Sequence, residues 1–420
     1  MQAELLTIGS EILSGSTLDT NSAWISQRLL GLGITVVRRT SVPDDPSLLV
    51  PAIQEAMGRS RLILTTGGLG PTADDITLAA VADATDRPLI LHPEIAAAIR
   101  RFYSRRRRRL QQDALRQAYL PQGASALANP LGTAPGVWLE MDSSLIISLP
   151  GVPMEMRALM EHAILPRLSR LKGRPCVASI VLRTAGLVEL ELQHLMEKIG
   201  VPANVQVGYY PHLRAVDLRL SATARTPAAA EKQIRSLCSQ LRKALGPAIY
   251  AANEEKMESI IGRLLVKRRR TLGVAESCTG GLVSARLTDV PGSSRYFRGG
   301  AIVYANELKT CLLGVSDAVL KKYGAVSGQT AAAMASGVRR ATESSIGLSI
   351  TGIAGPGGGS ASKPVGLVYI GLADGKNART ERHQFFGSRE MIKGQAAQMA
   401  LNALRLHLLG APSSHPPATR

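Results

Sequence analysis

Cysteine is scarce in this sequence. The chain has 420 residues and four cysteines, which are far apart and include no CxxC pair. Neither the paired spacing of a zinc site nor a disulfide framework is present, and we expect a reducing, cytoplasmic location. Aromatic residues make up 4% of the chain. No run of about 18 apolar residues occurs, so a membrane span is not expected. The first residues, Met1–Glu4, carry no basic group, and we expect no secretory signal.

Basic residues outnumber acidic ones, 50 to 32, for a formal net charge of +18. Seven arginines fall within ten residues, at Arg100, Arg101 and Arg105–Arg109. Two interpretations stay open: the run is a solvated helix face, or it attracts nucleic acid without sequence specificity. Only Phe102 and Tyr103 lie near it for stacking on bases, so a specific nucleic-acid partner is not expected.

The pattern of apolar residues predicts three folded segments and a tail. Residues 1–165 alternate strand-like and helix-like stretches, and residues 254–410 restart this alternation, which is typical of mostly parallel sheets covered by helices. Residues 166–253 are predicted to form a small α+β unit. Residues 411–420 contain several Ser and Pro residues and are predicted to be disordered. The predicted fold class is α/β: two three-layer α/β domains with mostly parallel sheets, joined by a small α+β domain.

Three loops of the first segment follow predicted strands and carry glycines or acids. Glycines in the longest loop, Thr65–Asp75, let main-chain N–H groups approach an anion, and the start of a helix favours phosphate. Nearby carboxylates suit a hard divalent cation that bridges phosphate oxygens. The candidate diphosphate site is Gly67, Gly68, Gly70 and Thr72, and the candidate metal ligands are Glu11, Asp45, Asp74 and Asp75. Alternatively, Asp74 and Asp75 only cap the following helix.

A serine in the third segment stands where a predicted strand meets a helix. Ser277 lies in the motif AESCTGG, and free N–H groups around Thr279, Gly280 and Gly281 are expected to stabilise an oxyanion. A serine needs a base to become a nucleophile. No histidine lies between residues 213 and 382, so a lysine with a lowered pKa is the natural alternative. Two other interpretations stay open: Ser277 is a helix cap, or Cys278 is the nucleophile.

Lys309, in the run GAIVYANELK, is the candidate base. Residues 300–304 are predicted to form a strand, and Asn306 is predicted to cap the helix that carries the lysine. Tyr304 is predicted to orient the lysine or the substrate. A surface position on a helix remains the alternative for Lys309.

A glycine-rich stretch, Thr351–Gly359, follows another predicted strand. It is denser in glycine than a simple turn but lacks the GK[ST] of a P-loop, and it predicts either a phosphate cradle or a flexible loop. An arginine before the last helix suits bidentate contact with phosphate. The candidate phosphate-binding residues are Gly352, Gly355, Gly357 and Arg389.

Three motifs of the first segment, GGLGPTADDIT at 67–77, NPLGTAPG at 129–136 and LPGVPMEM at 149–156, resemble the molybdopterin-binding-like domain of the competence/damage-inducible protein A (CinA) family. The resemblance covers nearly the whole chain. It implies a fold like that of molybdenum-cofactor biosynthesis proteins, a metal-dependent ADP-ribose pyrophosphatase activity and a KH-like middle segment. Leu78 stands where the family usually has a basic residue, and the stretch around Ala114 lacks the usual asparagine.

The order AESCTGG, PGSSRYFRGG, YANELK, GAVS and TGIAGPGGG resembles the nicotinamide mononucleotide (NMN) deamidase domain of the same family. The resemblance implies hydrolysis of the NMN amide to nicotinic acid mononucleotide and ammonia in pyridine-nucleotide salvage, without a cofactor. By motif position, Ser277 matches the nucleophile and Lys309 the general base. Thr279, Tyr304 and Arg389 match places that position the substrate.

The expected partners follow from these resemblances. They are NMN, ADP-ribose, a divalent cation for the first domain only and a second copy of the chain in a homodimer. The alternative is a non-catalytic scaffold that binds a nucleotide or a pterin and acts with competence or recombination proteins. A pterin-handling enzyme rests on fold analogy alone.

Overall fold

The computed structural model describes residues 1–107, 109–171, 176–212 and 215–411. Arg108 of the arginine run and all but the first residue of the predicted tail lie outside this description. The chain divides into two compact units, residues 1–178 with 223–230 and residues 179–222 with 231–420. No helix in the described part is both long and apolar enough to cross a bilayer. The predicted domain boundaries stay predictions.

The first unit is built on a sheet whose central strands are buried. Its strands are β1 (Gln2–Ile8), β2 (Thr35–Val42), β3 (Leu62–Thr66), β4 (Leu89–Leu91), β5 (Tyr119–Pro121), β6 (Ser125–Leu127), β7 (Gly136–Glu140) and β8 (Leu145–Leu149). Their order is β2-β1-β3-β8-β7-β6, and β4 pairs with β5 separately. The first four strands of this order are parallel, so β1, β3 and β8 end at one edge.

Helices cover both faces of this sheet. They are α1 (Ser10–Leu13), α2 (Thr20–Gly31), α3 (Pro46–Arg59), α4 (Thr77–Ala84), α5 (Pro93–Arg105), α6 (Pro153–Leu159) and α7 (Leu165–Ser169). Ile63 and Leu64 are neighbours on β3 and point to opposite faces. Ile63 belongs to an apolar cluster with Ile53 of α3, and Leu64 to one with Ile25 of α2. The unit therefore has three layers.

The middle segment is a small α+β arrangement. It contains β9 (Cys176–Thr184), α8 (Glu189–Ile199), β10 (Val205–His212), β11 (Ala215–Ala224), α9 (Pro227–Leu245) and β12 (Ile249–Ala252). The strand order is β10-β11-β9-β12. Sequence pattern alone does not mark β10, because Gly208 and Pro211 interrupt it and both are poor strand residues. Pairing with β11 over its whole length stabilises β10 nonetheless.

The last segment repeats the three-layer plan. Its elements are α10 (Met257–Lys267), β13 (Leu272–Glu276), α11 (Leu282–Thr288), β14 (Phe297–Ile302), α12 (Asn306–Leu313), α13 (Asp317–Tyr323), α14 (Gly328–Ala341), β15 (Ile346–Gly352), β16 (Leu367–Asp374), β17 (Asn377–Gln384) and α15 (Arg389–Leu409). The strand order is β14-β13-β15-β16-β17. The first three strands are parallel, and β16 and β17 are antiparallel to their neighbours.

The residues of β13 show how this sheet is covered. Val274 packs in a cluster with Ile261 of α10, and its neighbour Ala275 packs in another with Met334 of α14. Since neighbouring strand residues point to opposite faces, helices lie on both sides. The predicted α/β fold class is confirmed. Its parallel strands bring the ends of β13, β14 and β15 to one edge of the sheet, where ligands bind in folds of this kind.

Candidate active site

Ser277 lies at the carboxyl end of β13, between two parallel strands. Its main-chain N–H donates to the carbonyl oxygen of Ile350 on β15 at 2.9 Å. The N–H of Val303, directly after β14, donates to the carbonyl oxygen of Glu276 at 2.8 Å. Ser277 is 8% exposed. Its hydroxyl makes no hydrogen bond to any residue that the structure describes, so the oxygen is available to a substrate.

Glu276 holds the loop after the serine in place. Its buried carboxylate accepts hydrogen bonds from the N–H groups of Gly281 (3.0 Å) and Val283 (3.1 Å). It also accepts from the N–H (2.8 Å) and the hydroxyl (2.7 Å) of Ser284. These N–H groups begin α11 and have no partner inside the helix, so the carboxylate caps it. Sequence reasoning missed this role because the capping side chain precedes the N-cap position, Gly281, by five residues.

The predicted oxyanion donors are wrong for Gly280 and Gly281. The N–H of Gly280 already donates to the carbonyl oxygen of Ser277 at 3.1 Å, and the N–H of Gly281 is taken by Glu276. Thr279 differs, because its buried Oγ1 has no hydrogen-bond partner in the described part of the chain. An orphaned hydroxyl beside the serine is suited to a polar atom of a substrate. The interpretation of Ser277 as a helix cap is also wrong, since the cap of α11 lies elsewhere.

Lys309 brings a buried amine to the same sheet edge. Its Nζ donates to the carbonyl oxygens of Val303 (2.9 Å) and Tyr304 (3.0 Å). The lysine is 1% exposed, and burial lowers its pKa because the charged form loses hydration. The surface-lysine interpretation is therefore wrong. Two carbonyl acceptors match the two N–H bonds of a neutral amine and leave its lone pair unused. The predicted cap is also wrong: Asn306 is the first residue of α12, and Ala305 holds the N-cap position without a side-chain bond.

Strand-end hydrogen bonds connect the segment that holds Lys309 to the strand that carries Ser277. Lys309 binds the carbonyl oxygen of Val303, and the N–H of Val303 binds the residue that precedes Ser277. Among the described residues, the two side chains do not hydrogen-bond to each other. Proton transfer between them therefore needs a movement of the side chains or a bridging group, as is common before substrate binds.

Cys278 is the rival nucleophile in the same loop. Burial raises the pKa of its thiol to about 12. The thiolate is the reactive form of cysteine, and this environment disfavours it at neutral pH. Its position thus favours a packing role and leaves the serine as the better candidate.

Arg389, the first residue of α15, connects two other predicted parts of the site. Its guanidinium donates to the carbonyl oxygen of Gly355 (2.7 Å) and to the hydroxyl oxygen of Tyr304 (2.8 Å). Since arginine has five N–H donors, three remain for a ligand. Tyr304 is exposed (58%), and so is Arg389, which its hydroxyl contacts. The part of Tyr304 that contacts Lys309 is its carbonyl group, and not the phenol.

The three predicted glycines of the phosphate loop differ in whether, and why, their positions require glycine. A Cβ at Gly352, the end of β15, would lie 2.6 Å from Cγ2 of Val368, so close strand packing demands glycine there. Gly355 has φ +78°, which favours glycine on conformational grounds. A Cβ at Gly357 meets nothing within 4 Å. Two of the three are therefore explained by loop packing, whether or not phosphate binds.

We expect Glu276→Gln to lower the free energy of unfolding of the second unit by about 2–3 kcal/mol. The amide NH₂ cannot accept hydrogen bonds, so at least one N–H of α11 would lose its partner. Urea unfolding followed by circular dichroism measures the change. Glu307→Gln, at an exposed position on α12, is the matched control. Equal stability of both variants would contradict the capping role.

A second candidate site is a cavity of about 440 Å³ at the ends of β1, β3 and β8. Its walls include the predicted Gly67, Gly68 and Gly70 and the carboxylates of Glu11, Asp44, Asp74, Asp75 and Glu155. Gly67 has φ +108°, and a Cβ there would lie 2.1 Å from the carbonyl oxygen of Ile8, so only glycine fits. The structure thus brings most of the predicted residues of the first unit to one cavity.

Two predicted residues of the first unit have other contacts. Asp45 does not line the cavity; it caps α3 by accepting from the N–H of Ser47 at 2.8 Å. The hydroxyl of Ser47 (2.7 Å) and, to a smaller extent, that N–H lower the pKa of Asp45. Thr72 donates its N–H (2.8 Å) and hydroxyl (2.6 Å) to Asp75. The alternative that Asp74 and Asp75 cap the following helix is wrong, because Ile76 holds the N-cap position of α4 without a side-chain bond.

The acids of this cavity suit a hard divalent cation by their chemistry, since carboxylate oxygens are its preferred ligands. No group of three or more His, Cys, Asp or Glu residues in the described ranges is placed to hold an ion by itself. The carboxylate of Glu11 makes no hydrogen bond to a described residue. A cation in this cavity would need further ligands such as water or phosphate oxygens, which is a common mode for Mg²⁺.

Gln117 is a residue of this cavity to which sequence reasoning gave no role. Its Nε2 donates to the carbonyl oxygen of Leu69 at 2.9 Å, while its buried Oε1 has no partner among described residues. Leu78 and Ala114, the two departures from the family pattern, pack with the apolar cluster under α4. Neither position supplies a polar group to the cavity.

The arginine run borders a separate groove of about 690 Å³ in the first unit. Arg101, Arg105 and Arg106 line it, and the guanidinium of Arg106 lies 4.0 Å from the ring centre of Phe102. None of these arginines forms an ion pair within the described ranges. Both interpretations of the run stay open, and the absence of a specific nucleic-acid partner stays a prediction.

Comparison with known proteins gives the same domain order. Residues 4–170 match the family model "Probable molybdopterin binding domain", residues 179–251 match "Damage-inducible protein CinA KH domain", and residues 254–408 match "CinA C-terminal domain". A crystal structure of "the protein CinA with unknown function" from Thermoplasma acidophilum is 34% identical and covers 40% of this chain and 97% of its own, with a TM-score of 0.38.

Full-length relatives are also similar. A CinA-like protein of Kosmotoga olearia is 43% identical over 97% of this chain and 99% of its own length. A CinA-like protein of Cyanothece sp. is 43% identical over 97% of this chain and 98% of its own length. The predicted family resemblance is confirmed, and the chain belongs to the CinA family.

Proposed function

We propose that the last segment hydrolyses the carboxamide of NMN to nicotinic acid mononucleotide and ammonia. The observation that carries this proposal is the buried Lys309 amine, with its lowered pKa, at the same strand edge as Ser277. A lysine whose neutral form is favoured can act as a general base without histidine.

In the proposed reaction, Lys309 accepts the proton of Ser277 as its oxygen attacks the carboxamide carbon. The hydroxyl of Thr279, orphaned and buried, stabilises the developing oxyanion. The carbon–nitrogen bond breaks, the proton moves from the lysine to the leaving nitrogen, and ammonia departs. Water then hydrolyses the acyl-enzyme and restores the serine. Val303 and Tyr304 hold the lysine in position through their carbonyl groups.

The Arg389 guanidinium suits the phosphate group of the substrate. Arg389 keeps three N–H donors and is fixed by Tyr304 and Gly355. Charge-assisted bonds to the 5′-phosphate would orient the amide, since binding energy from a remote group lowers the barrier at the reacting atom.

Ammonia release from NMN by the full-length protein, measured with and without a chelator, tests the proposal. We expect multiple turnovers and no effect of the chelator. Binding of NMN without turnover would contradict the enzymatic proposal and favour the nucleotide-binding scaffold.

We propose a second function for the first unit: hydrolysis of ADP-ribose at its diphosphate, with a divalent cation. The acidic residues in this cavity favour a bound cation and, through that cation, a phosphorylated ligand over an apolar one. A bound cation supplies charge neutralisation at the diphosphate and a lowered pKa of bound water.

We expect Glu11→Gln to lower the turnover of ADP-ribose about tenfold or more, because it removes a free carboxylate from the cavity. Release of AMP, measured with Mg²⁺ or Mn²⁺ and after chelation, checks this. Asp142→Asn, at an exposed turn position, is the control. Unchanged turnover in Glu11→Gln would exclude Glu11 as a ligand.

A further inference from the structure

We propose that Lys393 binds the 5′-phosphate of the substrate together with Arg389. This pair of cations makes the site selective for a nucleotide over a nucleoside. This inference rests on the proposed NMN site and adds a residue that no motif indicated.

Lys393 reaches the nucleophile loop from the last helix. A Cβ built on Gly280 would lie 3.8 Å from its Nζ. Gly280 is the exposed residue of the loop that carries Ser277, and its φ of +63° turns the chain there. The ammonium group therefore stands over the outer side of this loop.

Lys393 and Arg389 lie on the same face of α15. They are separated by four positions, about one helical turn. Arg389 points toward the glycine-rich loop through Gly355, and Lys393 points toward the loop at Gly280. The two cations thus extend from one helix toward two different loops, the one after β15 and the one that carries Ser277.

Neither cation is neutralised by the protein. No described residue forms an ion pair with Lys393 or Arg389. The buried acid of the nucleophile loop, Glu276, is already used by the N–H groups of α11. Lys393 is half-buried and Arg389 is exposed. A half-buried, unpaired cation favours an anionic ligand, because the anion replaces the interaction with water that burial removes.

A phosphate fits this pair better than the reacting amide does. A phosphate monoester offers three acceptor oxygens and about two negative charges, which can bind an ammonium and a guanidinium together. The amide is neutral, and it has to reach Ser277, which is buried, whereas Gly280 beside Lys393 is exposed.

The test compares NMN with nicotinamide riboside, which carries the same amide but lacks the phosphate. We expect Lys393→Met to lower kcat/KM for NMN about 10- to 100-fold, mainly through KM. For nicotinamide riboside we expect a change of less than about threefold, since a residue that contacts only the phosphate contributes nothing there. Lys393→Arg should restore most of the preference for NMN.

Lys376→Met is the matched control, because it removes one lysine charge from an exposed turn of the same unit. We expect it to leave both substrates unaffected. Equal losses on both substrates in Lys393→Met would overturn the inference and place the lysine at the reacting amide. Unchanged kinetics on NMN would overturn it as well.

Binding measurements separate this inference from the proposed reaction. In a Ser277→Ala background, calorimetry measures the affinity for NMN and for the riboside without turnover. A phosphate preference that disappears with Lys393→Met supports the inference even if the wild-type protein releases no ammonia. No phosphate preference in the background protein would overturn it, even if ammonia is released.

Discussion

Ser277→Ala is expected to abolish ammonia release from NMN, lowering kcat by a factor of about 10⁴ or more. The hydroxyl oxygen forms the covalent bond in the proposed reaction, and the methyl group that replaces it has no lone pair. The side chain makes no hydrogen bond within the described structure, so its removal should leave the fold and the affinity for NMN nearly unchanged. Single-turnover assays of ammonia measure the loss.

Two further variants test whether the loss of activity is specific to Ser277. Ser294→Ala, at an exposed position of the same unit, should turn over NMN like the wild type. Cys278→Ala should keep most of the activity, because burial raises the pKa of that thiol to about 12 and disfavours the thiolate. Full activity in Ser277→Ala together with an inactive Cys278→Ala would move the nucleophile to the cysteine and refute the proposed mechanism.

Lys309→Met is expected to lower kcat/KM for NMN by about 10³-fold, in the range that a positioned general base contributes. Methionine fills a similar volume and removes the amine. Lys309→Arg should be as inactive, because a guanidinium stays charged and cannot accept the proton. Lys321→Met, at an exposed position on α13, is the control for loss of a lysine charge.

The pH dependence follows from the buried position of Lys309. The base must be neutral to act, so kcat/KM should rise with pH through the pKa of Lys309 and level off above it. Burial lowers this pKa, and the rise should therefore lie below the value of about 10.4 for an ordinary lysine. The rise should be missing in Lys309→Met. If kcat/KM of Lys309→Met rose with pH in the same way, the rise would belong to another titrating group. Lys309 would then not be the general base.

The approximate position of the site was predictable from local pattern. Alternation of apolar strands and helices indicates a parallel sheet, and parallel strands end at a common edge. Ser277 and Lys309 each follow a predicted strand, so their position at a common edge of the sheet could be inferred. The limits of β14 were less accurate: residues 300–304 were predicted, and the strand spans Phe297–Ile302. The carbonyl groups of the next two residues, Val303 and Tyr304, accept hydrogen bonds from Lys309 and not from a neighbouring strand.

Other features depend on side chains that local pattern does not relate. The sequence pattern indicates only that Glu276 ends a strand. In the structure its carboxylate caps the next helix. This contact occupies the N–H of Gly281, which is one of the predicted oxyanion donors. In the first unit, Asp44 lines the cavity where Asp45 was expected, because Asp45 caps α3. Adjacent acids are indistinguishable until the direction of each side chain is known.

Sequence alone determined the α/β class, the family and the set of loops that carry the chemistry, because apolar periodicity and loop glycines are properties of neighbouring residues. Tertiary structure alone decided that Lys309 is buried, which N–H groups are already used, and that Lys393 of α15 reaches the loop at Gly280. These facts depend on contacts between residues far apart in the chain. Burial and contact set both the charge state and the free donors of a site, and neither is a local property.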